Sequence, residues 1–310
     1  MIPARSWANP HSPELRLGAT CQRVWMASKF HKRVEHVVWL TRHHWRTRMT
    51  YCRTLDWFCS IYSDLILLVR GVRWPGRRVV RTVYSPFLDG PTFLRVGTSD
   101  WGMFEQLLCD GEYAPLFEHN PSGIRVILDL GANIGLSVRL WQRAFPGSTI
   151  TAVEPDPENL AAARRNGGSA VHFIQAGAGA QAGKFFLDQV GSECSYKVRE
   201  TPADSNAISV DVLTVPQILE TANIKGDVDF LKCDIEGSEI ALFKNCASWI
   251  KRVRNLAVEL HPPYTSEEFL SDLQGAGSEL AEYGRVDRGQ YKVLFLERSN
   301  ENGSPNPQSN

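Results

Sequence analysis

The run Val-Ile-Leu-Asp-Leu-Gly-Ala-Asn-Ile-Gly at residues 126–135 constrains this chain more than any other feature. Its apolar part ends in an acid, Asp129, and a glycine turn that begins at Gly131 follows. A second apolar run over 149–153 then ends in Glu154, 23 residues after Gly131. This order of strand, glycine turn and second strand predicts a pocket for an adenosine-containing cofactor at the carboxyl ends of parallel strands.

The elements around this turn alternate between strands and helices, as hydrophobic periodicity and turn residues indicate. Such alternation predicts an α/β fold with a doubly wound, mostly parallel sheet. Uninterrupted apolar strands support it, because both faces of a parallel strand are covered. The predicted strands are 124–130, 149–153, 170–175, 184–188, 207–212, 228–234 and 255–260, and the predicted helices are 136–145, 157–166, 214–222, 238–246 and 266–275.

Two further sequence signals predict where helices begin and how the chain ends. Three of the helices begin at residues suited to an N-cap, namely Asp156, Thr214 and Thr265, and the two threonines have the spacing of a capping box. Two runs near the end of the chain, 279–286 and 291–297, are separated by turn residues. They predict a C-terminal antiparallel hairpin.

The chain divides by composition into three segments. A basic, partly helical extension is expected first, then a catalytic domain, then a polar and disordered tail. We also expect poor order within residues 1–48, where no clear period occurs. The predicted segments are 1–95, 96–298 and 299–310.

Within the extension, the apolar spacing predicts a helix over 45–69 with one buried face. Short strands are predicted near 78–84 and 92–96, and another helix begins at Ser99-Asp100. The residues expected on the buried face of the first helix are Leu55, Phe58, Cys59, Tyr62, Leu65 and Ile66.

Charge is distributed unevenly along a chain whose formal net charge is zero. Residues 1–100 contain 16 Lys and Arg against 6 Asp and Glu, whereas the remaining residues contain 18 against 28. Two interpretations of this basic front stay open: a solvated tail, or peripheral contact with an anionic membrane surface. A nucleic-acid partner is not expected.

Seven cysteines without a CxxC pair predict free thiols rather than a disulfide framework or a metal site. Residues 1–30 lack the apolar core of a signal peptide, and the apolar segment 57–69 is too short to span a bilayer. We therefore expect a cytoplasmic protein, and no metal ion is expected.

The chemistry of the first motif favours one class of cofactor. Gly131 and Gly135 are four residues apart, which differs from the three-glycine turn that seats a pyrophosphate. Asp129 would be costly beside a pyrophosphate but suits a positively charged ligand, such as the amino group or sulfonium of S-adenosylmethionine. Glu154 lies where an acid accepts hydrogen bonds from ribose hydroxyls.

Two further motifs place polar groups at the same edge of the predicted sheet. Asp234 ends a strand and is followed by Glu236, and His261 follows the next strand. Either acid could serve as a general base, orient a substrate or ligate a divalent cation. The ordinary pKa of histidine, near 6.5, would make His261 a proton acceptor.

Together these residues resemble the FkbM-type family of S-adenosylmethionine-dependent methyltransferases. The matching text includes Asp-Leu-Gly-Ala-Asn-Ile-Gly at 129–135, Val-Glu-Pro-Asp-Pro-Glu-Asn at 153–159, Asp-Phe-Leu-Lys-Cys-Asp-Ile-Glu-Gly at 229–237 and Val-Glu-Leu-His at 258–261. Gly-Thr-Ser-Asp at 97–100 and Gly-Glu-Tyr at 111–113 also resemble the family's lead-in. The resemblance runs from about residue 95 to 297.

The resemblance implies a Rossmann-like class I methyltransferase sheet of seven strands, the last antiparallel. It implies O-methylation of a hydroxyl on a sugar or another small natural product. Cofactor contacts are implied at Asp129, Gly131, Ala132, Asn133, Gly135, Glu154, Pro155, Gln175 and Ala176, with Gln175 or the backbone after it meeting adenine. The resemblance implies that Asp234 and Glu236 face the transferred methyl and the acceptor, and we predict Asp234 first and His261 second as the base or orienting group.

Three alternatives stay open at this point. A nicotinamide-dependent oxidoreductase shares the fold class but is disfavoured by the glycine spacing and by Asp129. A metal-dependent methyltransferase would use Asp234, Glu236 and His261 as ligands. A non-catalytic module would bind the cofactor without methylating any acceptor. The identity of the acceptor and the oligomeric state are not fixed by the sequence.

Overall fold

In the computed structural model, described for residues 47–68, 78–189, 196–199 and 208–299, a seven-stranded sheet positions the glycine turn. Its strands are β3 (Val126–Leu130), β4 (Thr149–Val153), β5 (His172–Ile174), β10 (Val228–Cys233), β11 (Val253–Leu260), β12 (Leu280–Asp287) and β13 (Lys292–Arg298). The order across the sheet is β12-β13-β11-β10-β3-β4-β5. The pairs β11–β10, β10–β3, β3–β4 and β4–β5 are parallel, and β13 is antiparallel to both of its neighbours. The predicted doubly wound sheet and its C-terminal hairpin are confirmed.

The remaining elements cover this sheet or extend it. A two-stranded sheet and a four-stranded sheet lie outside it. The helices are α1 (Thr54–Leu68), α2 (Asp100–Leu108), α3 (Ala114–His119), α4 (Leu136–Ala144), α5 (Pro157–Gly167), α6 (Val215–Thr221), α7 (Glu239–Lys244) and α8 (Ser266–Gly275). The outer strands are β1 (Val80–Val83), β2 (Thr92–Arg95), β6 (Gly177–Ala178), β7 (Gly183–Gln189), β8 (Tyr196–Arg199) and β9 (Ile208–Leu213).

Hydrophobic cores lie on both faces of the central sheet. Along β3, Ile127 belongs to one buried cluster and Leu128 to the other, so the strand is covered on both sides. The first cluster also contains Val83 and Leu94 of the two-stranded sheet and Ile66 of α1. The core is therefore continuous across residue 95, where the sequence predicted a change of segment.

The predicted helix ends are confirmed where side chains cap them. The carboxylate of Asp156 accepts a hydrogen bond from the backbone N–H of Asn159. Both capping boxes, at Thr214 and at Thr265, are complete. Each cap satisfies N–H groups that the first helical turn leaves without an intrahelical partner. The helix α3 and the strands β6 and β8 were not predicted.

The prediction for the first helix is wrong in two respects. Helix α1 begins at Thr54 rather than near residue 45, and its apolar side chains Leu55, Phe58 and Leu65 are exposed. Its inward face combines apolar and polar groups: Ile66 is buried in the core as predicted, Ser60 donates a hydrogen bond to Glu105, and Ser63 accepts one from the backbone N–H of Gly97. Hydrogen bonds, rather than apolar periodicity alone, therefore decide which face is buried.

Two other sequence predictions lie partly or wholly outside the described residues. The poorly ordered stretches were predicted over residues 1–48 and 299–310, and the structure describes neither 1–46 nor 300–310.

Within the described part of the chain, no helix combines the length and the apolar character needed to cross a bilayer. Five cysteines in that part are free thiols, and Cys233 is fully buried as an apolar strand residue would be.

Candidate functional site

The glycine turn is held against its neighbouring strands by backbone contacts. The N–H groups of Gly131 and Ala132 both donate to the carbonyl of Val153, at 3.0 Å. Gly131 has a φ of +78°, and a Cβ built there would lie 1.7 Å from the carbonyl oxygen of Asp234. Only glycine fits this crossing, where the turn passes directly over the end of β10.

Two adjoining cavities open around the turn. The larger, of about 380 Å³, is lined by all three predicted catalytic residues, and the smaller, of about 60 Å³, lies beside Glu154. Five residues line both: Met103, Gly131, Asn133, Asp234 and Glu236. The carboxyl ends of β3, β4, β10 and β11 meet here, which is where parallel sheets of this kind bind ligands.

Glu154 forms the acidic end of the smaller cavity. One carboxylate oxygen accepts the N–H of Asn133 at 2.9 Å and the other accepts the N–H of Asp156 at 3.0 Å. A carboxylate has about four acceptor positions, so roughly two stay available for a diol. Burial raises the pKa of Glu154 to about 7, against the backbone hydrogen bonds that lower it.

This pKa predicts that cofactor binding depends on pH. Below pH 7 the carboxyl of Glu154 is protonated and accepts ribose hydroxyls less well, and above pH 7 it is ionised. We expect S-adenosylhomocysteine to bind roughly tenfold more tightly at pH 8 than at pH 6. Titration calorimetry at both values measures this. The Glu154→Gln variant should lose the dependence, and an identical slope in both proteins would contradict the assignment.

Asp129 occupies a different position from the one predicted. Its side chain is fully buried and lines neither cavity. Oδ2 accepts a hydrogen bond from the indole N–H of Trp141 at 2.8 Å, and Oδ1 lies 3.5 Å from the ammonium of Lys232. Contact between Asp129 and a cofactor therefore stays a prediction. In the structure this acid pairs with Trp141 and Lys232 beneath the turn.

Lys232 is a buried cation beneath the glycine turn, in contact with Gly131, Asp129 and Asp234. Its ammonium donates to the carbonyl of Gly131 at 2.6 Å and lies 3.4 Å from Oδ2 of Asp234. Burial would lower the pKa of Lys232, but the charges of Asp234 and Asp129 outweigh it and raise that pKa. The sequence contained this lysine in the Leu-Lys-Cys-Asp-Ile-Glu-Gly phrase, but nothing there marked it as a buried counter-ion.

His261 lies among carboxylates on the far side of Asp234. Its Nε2 is 3.2 Å from Glu259 and 3.5 Å from Glu236, and its Nδ1 is 3.3 Å from Glu239. Burial would lower the pKa of His261, but Glu239 and Glu259 outweigh it and raise it to about 11. This raised pKa differs from the ordinary value near 6.5 that the sequence analysis assumed, and a catalytic role for His261 stays a prediction.

Glu236 and Asn133 share an unusual backbone conformation. Both have positive φ, +56° for Glu236 and +48° for Asn133, and both line the two cavities. Asparagine tolerates this region, whereas glutamate is uncommon in it. Such strain occurs preferentially at functional sites, where the surrounding structure holds it. The turn after β10 thus projects the Glu236 side chain into the cavity.

The remaining predicted cofactor residues divide between the cavities and the packing around them. Ala132 lines the larger cavity, and Pro155 and Ala176 line the smaller one. Gly135 lines neither; its Cβ would lie 3.0 Å from the Cα of Ala163, so it permits close packing of α4 on α5. Gln175 is exposed and outside both cavities, so the predicted contact of Gln175 or of the backbone after it with adenine stays a prediction.

A polar wall that the sequence did not predict completes the larger cavity. The carboxylate of Glu112 accepts hydrogen bonds from Gln106 at 2.6 Å and from the hydroxyl of Tyr291 at 3.1 Å. Burial, with the charge of Asp234, raises the pKa of Glu112. Glu112 belongs to the lead-in text near residue 111, but Tyr291 lies 179 residues away and only the fold brings them together.

Residues 129–287 match the model of the Methyltransferase FkbM domain. Methyltransferase 1 from Beauveria bassiana (strain ARSEF 2860) is 29% identical over 160 residues, and the match covers 43% of this chain and 64% of that relative. The chain thus spans a little less than two thirds of the relative's length.

Solved methyltransferase structures give weaker matches. The N-terminal domain of human METTL16 in complex with SAH has a TM-score of 0.39 at 13% identity, covering 64% of this chain and 71% of its own. Magnesium protoporphyrin IX methyltransferase from Synechocystis PCC 6803, with bound SAM, has a TM-score of 0.38 at 16% identity, covering 64% and 81%. These scores are low, so the family match carries the identification.

Proposed function

Because this chain belongs to the FkbM methyltransferase family, we propose that it methylates a hydroxyl group on a sugar or another small natural product. The cofactor that the family implies is S-adenosylmethionine. When bound, that cofactor supplies a methyl group on a positively charged sulfur. The acceptor hydroxyl and the cytoplasmic location are our proposals.

The residues around the cavities suit this cofactor. The walls carry the carboxyl groups of Glu112, Glu154, Asp234, Glu236 and Glu259, whereas their cationic side chains are Lys232 and His261. An excess of acids favours a ligand that bears a sulfonium and an amino group. Glu154 would hold the ribose through its remaining acceptor positions, and the backbone of the turn would approach the methionine part closely.

The larger cavity is the observation that carries the acceptor proposal. It adjoins the Glu154 cavity through shared residues, so a second molecule bound there would lie beside the cofactor. Beside apolar residues, its lining includes hydrogen-bonding groups from Gln106, Glu112 and Tyr291. Such a wall is suited to a compound with several hydroxyls, because each polar group that binding buries then finds a partner.

Asp234 is the group that we assign to the acceptor hydroxyl. It lines both cavities, and Lys232 holds one of its carboxylate oxygens. From this position it would orient the hydroxyl and take its proton during or after attack. Holding donor and acceptor in line would account for much of the rate, because the transferred methyl is already activated.

The Asp234→Asn variant tests this assignment. We expect turnover to fall roughly 100-fold or more, the range for losing a positioned base, while affinity for S-adenosylhomocysteine changes little. The matched control is Asp211→Asn, at an exposed aspartate on β9 outside both cavities, which should keep its turnover. Unchanged turnover in Asp234→Asn would remove this residue from the mechanism.

The acceptor class needs a separate experiment. The full chain is incubated with methyl-labelled cofactor and a panel of sugars, lipid-linked glycans and polyketides, and labelled products are analysed by mass spectrometry and NMR. We expect a methyl ether. Labelled amines alone would contradict the O-methylation proposal but keep the methyltransferase assignment, and no labelled product across a broad panel would favour a non-catalytic binding module.

A further inference from the structure

Three side chains, from the end of β10, the start of α7 and the end of β11, converge with ligand atoms facing one another. One such atom from each of Asp234, Glu239 and His261 lies within 4.8 Å of the other two. Each of these residues also has a buried polar atom without a hydrogen-bond partner: Oδ1 of Asp234, Oε2 of Glu239 and Nδ1 of His261. Buried polar atoms are nearly always satisfied in folded proteins, so three in one place point to a ligand that all three residues would share.

Glu239 makes this arrangement more than a surface cluster of acids. Its side chain has no exposed area, and Oε1 accepts the backbone N–H of Ile235 at 2.9 Å. The other oxygen, Oε2, is left without a partner in a fully enclosed position. Leaving a buried carboxylate oxygen unsatisfied is costly, and a bound cation removes that cost.

The imidazole of His261 is oriented as a metal ligand would be. Glu259, whose side chain is 11% exposed, holds an oxygen 3.2 Å from Nε2. Metal-binding histidines usually face a carboxylate or carbonyl with the ring nitrogen that does not bind the metal. That leaves Nδ1, which has no hydrogen-bond partner although it lies 3.3 Å from Oε1 of Glu239.

We propose that Asp234, Glu239 and His261 form a binding site for one divalent first-row transition-metal cation. Two carboxylate oxygens and one imidazole nitrogen suit Mn²⁺, Fe²⁺ or Zn²⁺ better than Mg²⁺, which prefers oxygen ligands. The nearby ammonium of Lys232 faces Oδ2 of Asp234, so Oδ1 is the oxygen left for the cation.

The cation would also supply the positive charge that these acids require. An imidazole binds a metal in its neutral form, so the cation takes the place of the proton on Nδ1. Three protein ligands leave open coordination positions, and Asp234 and His261 line the larger cavity. An acceptor oxygen could bind there; that last role rests on the proposed methyl transfer, whereas the cation site does not.

The test uses Mn²⁺ alone with the full chain, without cofactor or acceptor. Electron paramagnetic resonance should detect one bound Mn²⁺ per chain, and pulsed measurements should detect coupling to a directly bound imidazole nitrogen. Glu239→Gln and His261→Gln should each weaken Mn²⁺ binding roughly tenfold or more, and His261→Gln should lose the nitrogen coupling. Glu112→Gln is the matched control, because it changes a carboxyl of the same cavity outside the three-residue site.

Two results would overturn the proposal. One is the absence of bound Mn²⁺ in the wild-type chain; the other is Mn²⁺ bound without nitrogen coupling and with equal affinity in all the variants. The wild-type spectra decide the matter even if a variant fails to fold. Cofactor binding, measured separately by calorimetry, keeps a failure of the cation site distinct from a failure of the methyltransferase assignment.

Discussion

Replacing Gly131 by alanine is expected to abolish measurable cofactor binding. The new Cβ would lie 1.7 Å from the carbonyl oxygen of Asp234, and the contact is with backbone that no rotamer change can move. The turn and the end of β10 must therefore separate, which displaces both walls of the cavity. A displacement of about 1 Å at a positioned site lowers the reaction rate by on the order of 100-fold. We expect a loss of at least similar size in the affinity for S-adenosylhomocysteine.

Gly147→Ala is the control for this substitution. Gly147 has a φ of +84°, close to that of Gly131, but a Cβ there meets nothing within 4 Å. It therefore reports the backbone strain of alanine at positive φ, about 1 kcal/mol, without the clash. Binding and thermal unfolding are measured for both variants. If Gly131→Ala bound the cofactor and unfolded like Gly147→Ala, the close crossing over Asp234 would be refuted.

The second large effect is expected at Lys232. Replacing it with methionine keeps most of the side-chain volume but leaves Asp129, which is fully buried, without its cation. Removing one member of a buried ion pair costs about 3–5 kcal/mol, so we expect a loss of that size in the free energy of unfolding. Urea denaturation monitored by circular dichroism measures it. Adding Asp129→Asn should restore part of the loss, because the uncompensated charge is then gone.

Lys184→Met separates the effect of burial from that of distance. The ammonium of Lys184 lies 2.9 Å from the carboxylate of Asp211, closer than Lys232 lies to Asp129. Both side chains of this pair, however, are more than half exposed. Exposed ion pairs contribute about 0–1 kcal/mol, so this variant should unfold almost like the wild type. Equal stability of Lys232→Met and Lys184→Met would show that the lysine beneath the turn is not a structural counter-ion.

The sequence predicted the central sheet well because its signals are local. Apolar runs, glycine turns and capping residues such as Asp156 and Thr265 each act over a few positions, and each has its expected structure. The first helix was harder to predict. Its buried face includes serines as well as Ile66, and the partners of these serines, Glu105 and Gly97, lie 45 and 34 residues away; periodicity carries no information about such contacts.

The candidate site also depends on contacts between residues that are distant in the sequence. Strand ends were enough to bring Asp234, Glu236 and Glu154 to one edge, since carboxyl ends of parallel strands meet there. What surrounds each group was not predictable from spacing. Asp129 faces Lys232 beneath the turn, and His261 faces Glu239 and Glu259, which raise its pKa. Charge compensation between side chains on different strands depends on the fold, so an ordinary pKa was the wrong assumption for His261.

Titration calorimetry of the full chain with S-adenosylhomocysteine and with NADH tests the central claim most directly. The cavity beside Glu154 and the family match predict one S-adenosylhomocysteine per chain and no heat of binding from NADH. Glu154→Gln should weaken the S-adenosylhomocysteine interaction roughly tenfold at pH 8. Binding of NADH without binding of S-adenosylhomocysteine would contradict the assignment as a methyltransferase. It would favour a nicotinamide-dependent oxidoreductase instead.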